Sequence, residues 1–481
     1  MKVTLSNIIQ IEEPNDAVKT YCKTNLTFNN PDYIKKQRMG YWVGKTPKTI
    51  KLYDCYNDNI YLPIGCFEDI WQLHPYKEDY KDYSITKQRN IKSNIVLRNY
   101  QEPCADALKK YVNGIFVLPP GLGKTQIGLY CASYLKQKTL WLTHTKELLQ
   151  QAKERCENNL ECTTSSITEG KCDTSGDIVF ATVQTLVGLV DKQEVKQNEF
   201  GLIIVDECHH LSTNAETVKM FEKCVNYFSA RYKLGLTGTL HRADGLENTT
   251  TKIIGNVVYE VKKSADKKKL IGIYEGKQIL ELPIEQFQVP AQIHTLKTAY
   301  NVDNRDVFDR NSKIVFARLI SDLCGDYDRN KLILDIIKSL KGYSIVISER
   351  IEQLHYLSDN TPNSICIDGK TNKKLREKLI EEFREGKYKV LFASYSLVAE
   401  GLDVPMLENL VMASPVKDER LVVQSIGRCQ RPYNNKKIAN IYDLIDDVSL
   451  LDKFTRARKK VYKAEGWGVL KWWQLICAYY S

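Results

Sequence analysis

Leu118-Pro119-Pro120-Gly121-Leu122-Gly123-Lys124-Thr125 is the stretch whose reading decides the fold of this 481-residue chain. Ile115, Phe116 and Val117 lead into it as an apolar strand, and Gln126 to Leu135 follow with the composition of a helix. A loop between such elements turns backbone N–H groups toward phosphate oxygens at the helix N-terminus. Pro120, Gly121, Leu122 and Gly123 supply the cradle, Lys124 reaches the terminal phosphates, and Thr125 is set to ligate magnesium. The pattern ordinarily opens on a glycine where this chain has Leu118, yet Pro119, Pro120 and Gly121 still enforce the turn.

A second apolar run, Leu202 to Val205, has the composition of a strand buried on both faces of a parallel sheet. Asp206 and Glu207 follow at its carboxyl end, which is where open α/β sheets bind ligands. In a nucleotide hydrolase the first acid holds magnesium and the second orients or deprotonates the attacking water, the roles assigned here to Asp206 and Glu207. ATP and Mg²⁺ are therefore the expected cofactors.

Asp206-Glu207-Cys208-His209 carries the resemblance: the chain is similar to the superfamily 2 helicases, in the Asp-Glu-Cys-His variant of their DEAD/DEAH-box-like class. Further motifs of that superfamily appear in order over most of the chain. Arg98 and Gln101 resemble its adenine-recognition segment. Thr143, and the Thr182–Thr185 pair, resemble the strand-end motifs that touch the nucleic-acid backbone. Leu236-Thr237-Gly238-Thr239 resembles the motif that couples hydrolysis to strand movement.

The second half reads as another alternation of strands and helices, with Tyr343–Ser348 and Val390–Ser394 as strands. Ser394, Gly401 and Asp403 match the fifth motif, which faces both the ribose and the strand. Gln424, Gly427, Arg428 and Arg431 match the sixth, whose arginines the resemblance brings to the terminal phosphate. The implied fold is α/β: two tandem RecA-like doubly wound parallel-sheet domains, at 92–262 and 263–481, behind a small N-terminal α+β accessory domain at 1–91.

After the coupling motif, His241-Arg242-Ala243-Asp244-Gly245 resembles the branch containing the helicase subunit of the eukaryotic transcription and repair factor, phage recombination-repair helicases and poxvirus transcript-release helicases. Arg242 is then a nucleic-acid contact, although Ala243 replaces an acid that some members carry. The branch implies a DNA helicase or translocase in recombination, repair or replication, with single-stranded, forked or branched DNA as partner. An RNA-directed or transcript-releasing ATPase and the motor of a restriction or defence complex are the alternatives. The accessory segment, with Gly40-Tyr41-Trp42-Val43-Gly44, suits either duplex engagement or a small scaffold with its tyrosines in the core.

The composition agrees. A hydrophobic content of 43% is ordinary for a globular protein, and the length exceeds a single core. No apolar run reaches membrane-spanning length and the N-terminus lacks a signal-like core, so a cytoplasmic protein without membrane partners is expected. The abundance of lysine, asparagine and tyrosine suits an AT-rich, viral kind of genome. Fourteen cysteines contain no Cys-x-x-Cys pair, which argues against zinc. His209 and His210 are expected in a hydrogen-bond network between lobes. The net charge of +10 calls for an acidic partner. Residues 451–481 concentrate that charge, with Arg456, Arg458, Lys459, Lys460 and Lys463 before Trp467, Trp472 and Trp473. Such a tail either stacks on a nucleic-acid strand or docks its tryptophans on the second lobe. The lysines of 262–269 read as a junction between lobes.

Overall fold

The apolar runs become the central strands of two parallel sheets. The structure, a computed structural model, describes residues 1–119, 121–168, 171–209, 215–238, 240, 247–302, 307–308, 314–400, 402 and 404–471. Two compact units divide it: residues 1–262 with 270–281, and residues 263–269 with 282–481.

In the first unit the core strands are β1 (Asn113–Val117), β2 (Thr139–Thr143), β3 (Thr164–Thr168), β4 (Ile178–Thr182), β5 (Leu202–Asp206), β6 (Tyr232–Thr237) and β7 (Val257–Lys263). They run parallel in the order β3-β4-β2-β5-β6-β1-β7. Short strands at Lys171–Cys172, and then Lys269–Tyr274 and Lys277–Pro283, extend the two edges. Every residue of β2, β4 and β5 is buried, as expected for a sheet covered on both faces.

The second unit repeats the plan. Its strands are β8 (Ala291–Lys297), β9 (Tyr343–Ser348), β10 (Ser364–Ile367), β11 (Val390–Ser394), β12 (Leu407–Met412), β13 (Ala439–Ile445) and β14 (Gly468–Lys471). Their parallel order is β10-β11-β9-β12-β13-β8-β14, which is the first order with seven added to each label. Both sheets therefore reverse strand order at equivalent points, and such switch points are where α/β sheets form crevices.

Ahead of the first sheet, Lys2–Leu5, Ile8–Glu12, Asp54–Tyr56, Asn59–Pro63 and Tyr80–Asp82 form a separate five-stranded sheet. Val3, Ile9, Ile11, Val18 and Ile70 pack beneath it and continue without a break into the core around Ile253 and Ile254. Polar contacts lock the same boundary. Lys252 pairs with Asp69 at 2.6 Å, Asn256 donates to Glu68 at 2.6 Å, and the buried Lys233 donates to the Asn7 carbonyl at 3.0 Å.

Two basic segments take defined places. The lysine run lies where the two units divide: Ser264 N donates to the Lys269 carbonyl at 2.8 Å and closes a tight connection from β7 to the next strand. The basic tail is largely structural. It forms a helix, Asp452–Glu465, with Arg458, Val461 and Tyr462 buried. Arg458 Nε pairs with the buried Asp443 at 2.9 Å, and Trp467 packs by Tyr462 with ring centroids 6.2 Å apart. Trp472 and Trp473 lie outside the described residues. Every cysteine among the described residues carries a free thiol.

Candidate nucleotide-binding and catalytic site

β1 ends at Val117, and Leu118 N still donates to the Thr237 carbonyl at 2.9 Å before the chain leaves the sheet. The loop then turns through Gly121 at φ +87° and Gly123 at φ +76° and enters α1 (Lys124–Leu135). Both angles are left-handed, where a Cβ is strained. At Gly123 a Cβ would also stand 2.8 Å from Gln101 Nε2. Gly123 offers α1 no side-chain cap, so the first helical amides keep their capacity for an anion.

Gln101 is tied to this loop. Its Nε2 donates to the Leu122 carbonyl at 3.0 Å while its Oε1 accepts from Arg98 N at 2.9 Å. The Tyr100 hydroxyl donates to the same Leu122 carbonyl, and Arg98 Nη1 donates to that hydroxyl, both at 3.2 Å. An amide carries two N–H groups and two oxygen lone pairs, so each end of Gln101 has the valence for one further partner.

The acid pair lies beside the loop. Lys124 Nζ stands 3.4 Å from Glu207 Oε1. Glu207 sits at φ +48°, and its N–H donates to Asp206 Oδ1 at 3.0 Å. The sharp turn sends adjacent carboxyls in different directions, with Asp206 buried and Glu207 partly exposed. Burial pushes the Asp206 carboxyl up to about 7, and the like charge of Glu207 adds to this; Lys124 and Arg155 oppose it. His209 Nδ1 lies 3.3 Å from Glu207 Oε2 and 3.0 Å from Thr237 Oγ1. Glu207 and Thr237, these two partners of His209, belong to the first unit. The neighbouring His144 is held down to about 4, mainly by burial and then by the charge of His209.

Thr125 and Asp206 supply a hydroxyl and a carboxylate, the oxygen donors magnesium takes, with phosphates and water completing its octahedron. A buried, adjacent acid pair also requires positive charge. The residues therefore fit a magnesium ion carried in with the nucleotide. Among the described residues no group of three or more His, Cys, Asp and Glu could hold a metal by itself.

One residue here carried no sequence signal. Arg155, on α2 (Lys146–Asn159), donates from Nη1 to Thr125 Oγ1 at 3.2 Å.

The threonines expected to touch nucleic acid stand at adjacent strand ends, Thr143 of β2 facing Thr182 of β4 in register. Their hydroxyls are locally engaged. Thr143 is buried and donates to the Thr145 carbonyl at 2.9 Å, whereas Thr182 meets the Thr185 hydroxyl at 3.0 Å and caps α3 (Val183–Asp191). In the second unit Ser394 ends β11, with its hydroxyl 3.4 Å from Leu397 N. Gln424 and Arg428 lie one helical turn apart on α4 (Glu419–Cys429), off the face buried by Val422, Ser425, Ile426 and Cys429. Arg428 Nε donates to the Val398 carbonyl at 3.2 Å, and Arg431 follows the helix end, partly exposed. Pro120, Thr239, His210, Arg242, Gly401 and Asp403 lie outside the described residues.

The chain is similar to known proteins over most of its length. Residues 94–242 match the family model "Type III restriction enzyme, res subunit", and residues 328–433 match "Helicase conserved C-terminal domain". The chain is 29% identical over 398 residues to the DNA 3'-5' translocase XPB2 of Sulfurisphaera tokodaii, spanning 77% of this chain and 86% of that one. It is 25% identical over 482 residues to the probable helicase D10 of Escherichia phage T5, spanning 97% and 95%. Among solved structures it is similar in fold to S. cerevisiae Dbp5 bound to RNA and ADP BeF3, with a TM-score of 0.54, 14% identity and coverage of 78% and 90%.

Proposed function

We propose that this chain, which belongs to the superfamily 2 helicases, uses ATP hydrolysis to move along DNA and to unwind or remodel it in recombination, repair or replication. The observation that carries this reading is one run of contacts, Lys124 to Glu207 to His209 to Thr237, drawn from three separated motifs. It links the phosphate lysine to the strand-coupling motif through the catalytic acid.

In this reading Lys124 and the amides of Gly121, Leu122 and Gly123, with Pro120, hold the phosphates. Arg98 and Gln101 read the base, and Gly401 and Asp403 face the ribose. Thr125 and Asp206 would hold magnesium, which would supply positive charge to offset that of the phosphates. Glu207 orients the attacking water and accepts its proton, with His209 fixing the carboxylate. Gln424 and the arginines Arg428 and Arg431 come from the second unit; an arginine that meets the transferred phosphoryl group is worth a factor on the order of 10³ to 10⁵ in related hydrolases. Thr143, Thr182, Thr185, Arg242 and Ser394 would track the strand backbone, so little sequence preference follows. Residues 1–91, 92–262 and 263–481 serve as accessory, first motor and second motor segments.

Preference for DNA has one support. The similar archaeal protein is named a DNA translocase. The accessory segment presents a basic and aromatic surface: Lys35, Lys36 and Arg38 end the helix Pro31–Arg38, and Tyr41 and Trp42 follow, the latter 87% exposed. Cations beside exposed aromatics suit a strand held by phosphates and stacked through bases. The restriction-subunit match keeps the motor of a defence complex as a second reading, and a stably co-purifying nuclease would favour it. Strand displacement from a forked DNA duplex, compared with the same fork in RNA, tests the proposal. ATP-dependent displacement of the DNA strand is expected; displacement of RNA alone would replace it with the RNA-directed reading.

A further inference from the structure

Arg155 belongs to none of the motifs, yet it reaches the metal side of the site. It lies on α2 next to the buried row of Leu149, Ala152 and Cys156, which seats the helix against the sheet. From there its guanidinium returns to the phosphate loop and donates to Thr125 Oγ1, 3.2 Å away. Thr125 is the hydroxyl that would lend a lone pair to magnesium.

The charge balance gives this contact its meaning. Asp206 is 6% exposed and abuts a second carboxylate, so the pair needs positive charge nearby. Two cations provide it, Lys124 against Glu207 and Arg155 against Thr125. Both stand on groups that face phosphate or metal once Mg-nucleotide is bound. Lys124 has a phosphate to move to. Arg155 instead stands where a divalent ion brings a charge of the same sign, and the two repel across a few ångströms in a site of low dielectric.

We infer that Arg155 is a positioning residue that stands in for magnesium at Thr125 while the nucleotide site is empty, and gives up the hydroxyl when Mg-nucleotide loads. The role rests on the reading that Thr125 and Asp206 hold magnesium. It makes Arg155 a determinant of how strongly nucleotide binding depends on the ion. Without magnesium, Arg155 remains as the positive charge for the phosphates; with magnesium it is a competitor.

The test uses the full chain and a fluorescent ADP, bound first in EDTA and then across a Mg²⁺ titration, for wild type, Arg155→Gln, Arg155→Lys and Thr125→Ala. Thermal unfolding without nucleotide confirms that each variant folds. Arg155→Gln should weaken ADP binding in EDTA about ten-fold and lower the half-saturating Mg²⁺ concentration by a similar factor, as removal of one like charge predicts. Arg155→Lys, which keeps the charge, should stay near wild type in both. An Arg155→Gln variant that weakens ADP equally with and without Mg²⁺, or behaves as wild type throughout, overturns the inference while leaving the metal site intact. Wild-type binding that ignores Mg²⁺, or an unchanged response in Thr125→Ala, overturns the metal-site reading and the inference with it.

Discussion

Glu207 is the residue at which the chemistry converges, because its carboxylate touches both the phosphate lysine and the histidine that leads to Thr237. Glu207→Gln should therefore bind ATP and lose turnover by roughly 10² to 10⁴-fold, the usual worth of a general base. Equilibrium binding beside single-turnover hydrolysis checks this, and parallel loss of both would mean that Glu207 only shapes the loop. Lys233 offers a test of folding instead. It is fully buried on β6, and burial pulls its ammonium down to about 7. Between about pH 7 and the ordinary lysine value, the unfolded chain holds a proton that the folded chain has released. Stability of the first unit should rise with pH across that window, by about 1.4 kcal/mol per unit at most, and Lys233→Met should flatten the rise. Thermal unfolding at several pH values reads it directly. Thr143, Thr182, Asp206, Thr237 and Ser394 were legible in sequence because each ends a short apolar strand. Arg155 was not, since its place depends on which face of α2 returns to a loop 30 residues earlier.

Among elements, the strands could be read from composition and the charged helices only in part. Leu202–Asp206 and Val390–Ser394 follow from continuous apolar runs, and no other element type suits so short a run between turns. Composition left the basic C-terminal helix open between stacking and docking: its charge count gives no hint that Arg458 is matched to Asp443 on β13, more than a dozen residues earlier. Arg458→Ala should strand a buried carboxylate and cost about 3–5 kcal/mol, seen as a lowered unfolding temperature. Arg458→Met with Asp443→Leu should recover much of that loss if the pair is structural. The helix Pro31–Arg38 and the turn after it behave differently, since Lys35, Arg38 and Trp42 face solvent. Trp42→Ala should weaken DNA binding by about 1–3 kcal/mol for a stacked base while leaving nucleic-acid-free ATP hydrolysis unchanged. Fluorescence anisotropy with labelled single-stranded DNA measures it; unchanged affinity would make that surface a scaffold feature.

The whole molecule is built on one topology used twice, with the strand order of the second sheet copying the first. This repetition was visible in the sequence as two alternations of strand and helix. The continuous core joining the N-terminal sheet to the first parallel sheet was not, because Ile253 and Ile254 read as ordinary residues of a short helix until their neighbours are known. Duplication of the sheet gives each unit a switch point and strand ends at which to hold ligands. A motor of this kind couples nucleotide turnover to its track, so hydrolysis should respond to nucleic acid. The most direct test is steady-state ATP hydrolysis by wild type and Lys124→Ala, without nucleic acid and with single-stranded DNA, forked DNA or RNA, over a salt series. Stimulation by DNA that declines as salt rises, as counterion release from phosphate contacts requires, and that is absent in Lys124→Ala, is the predicted result. Wild-type hydrolysis no faster than that of Lys124→Ala on every substrate would contradict it.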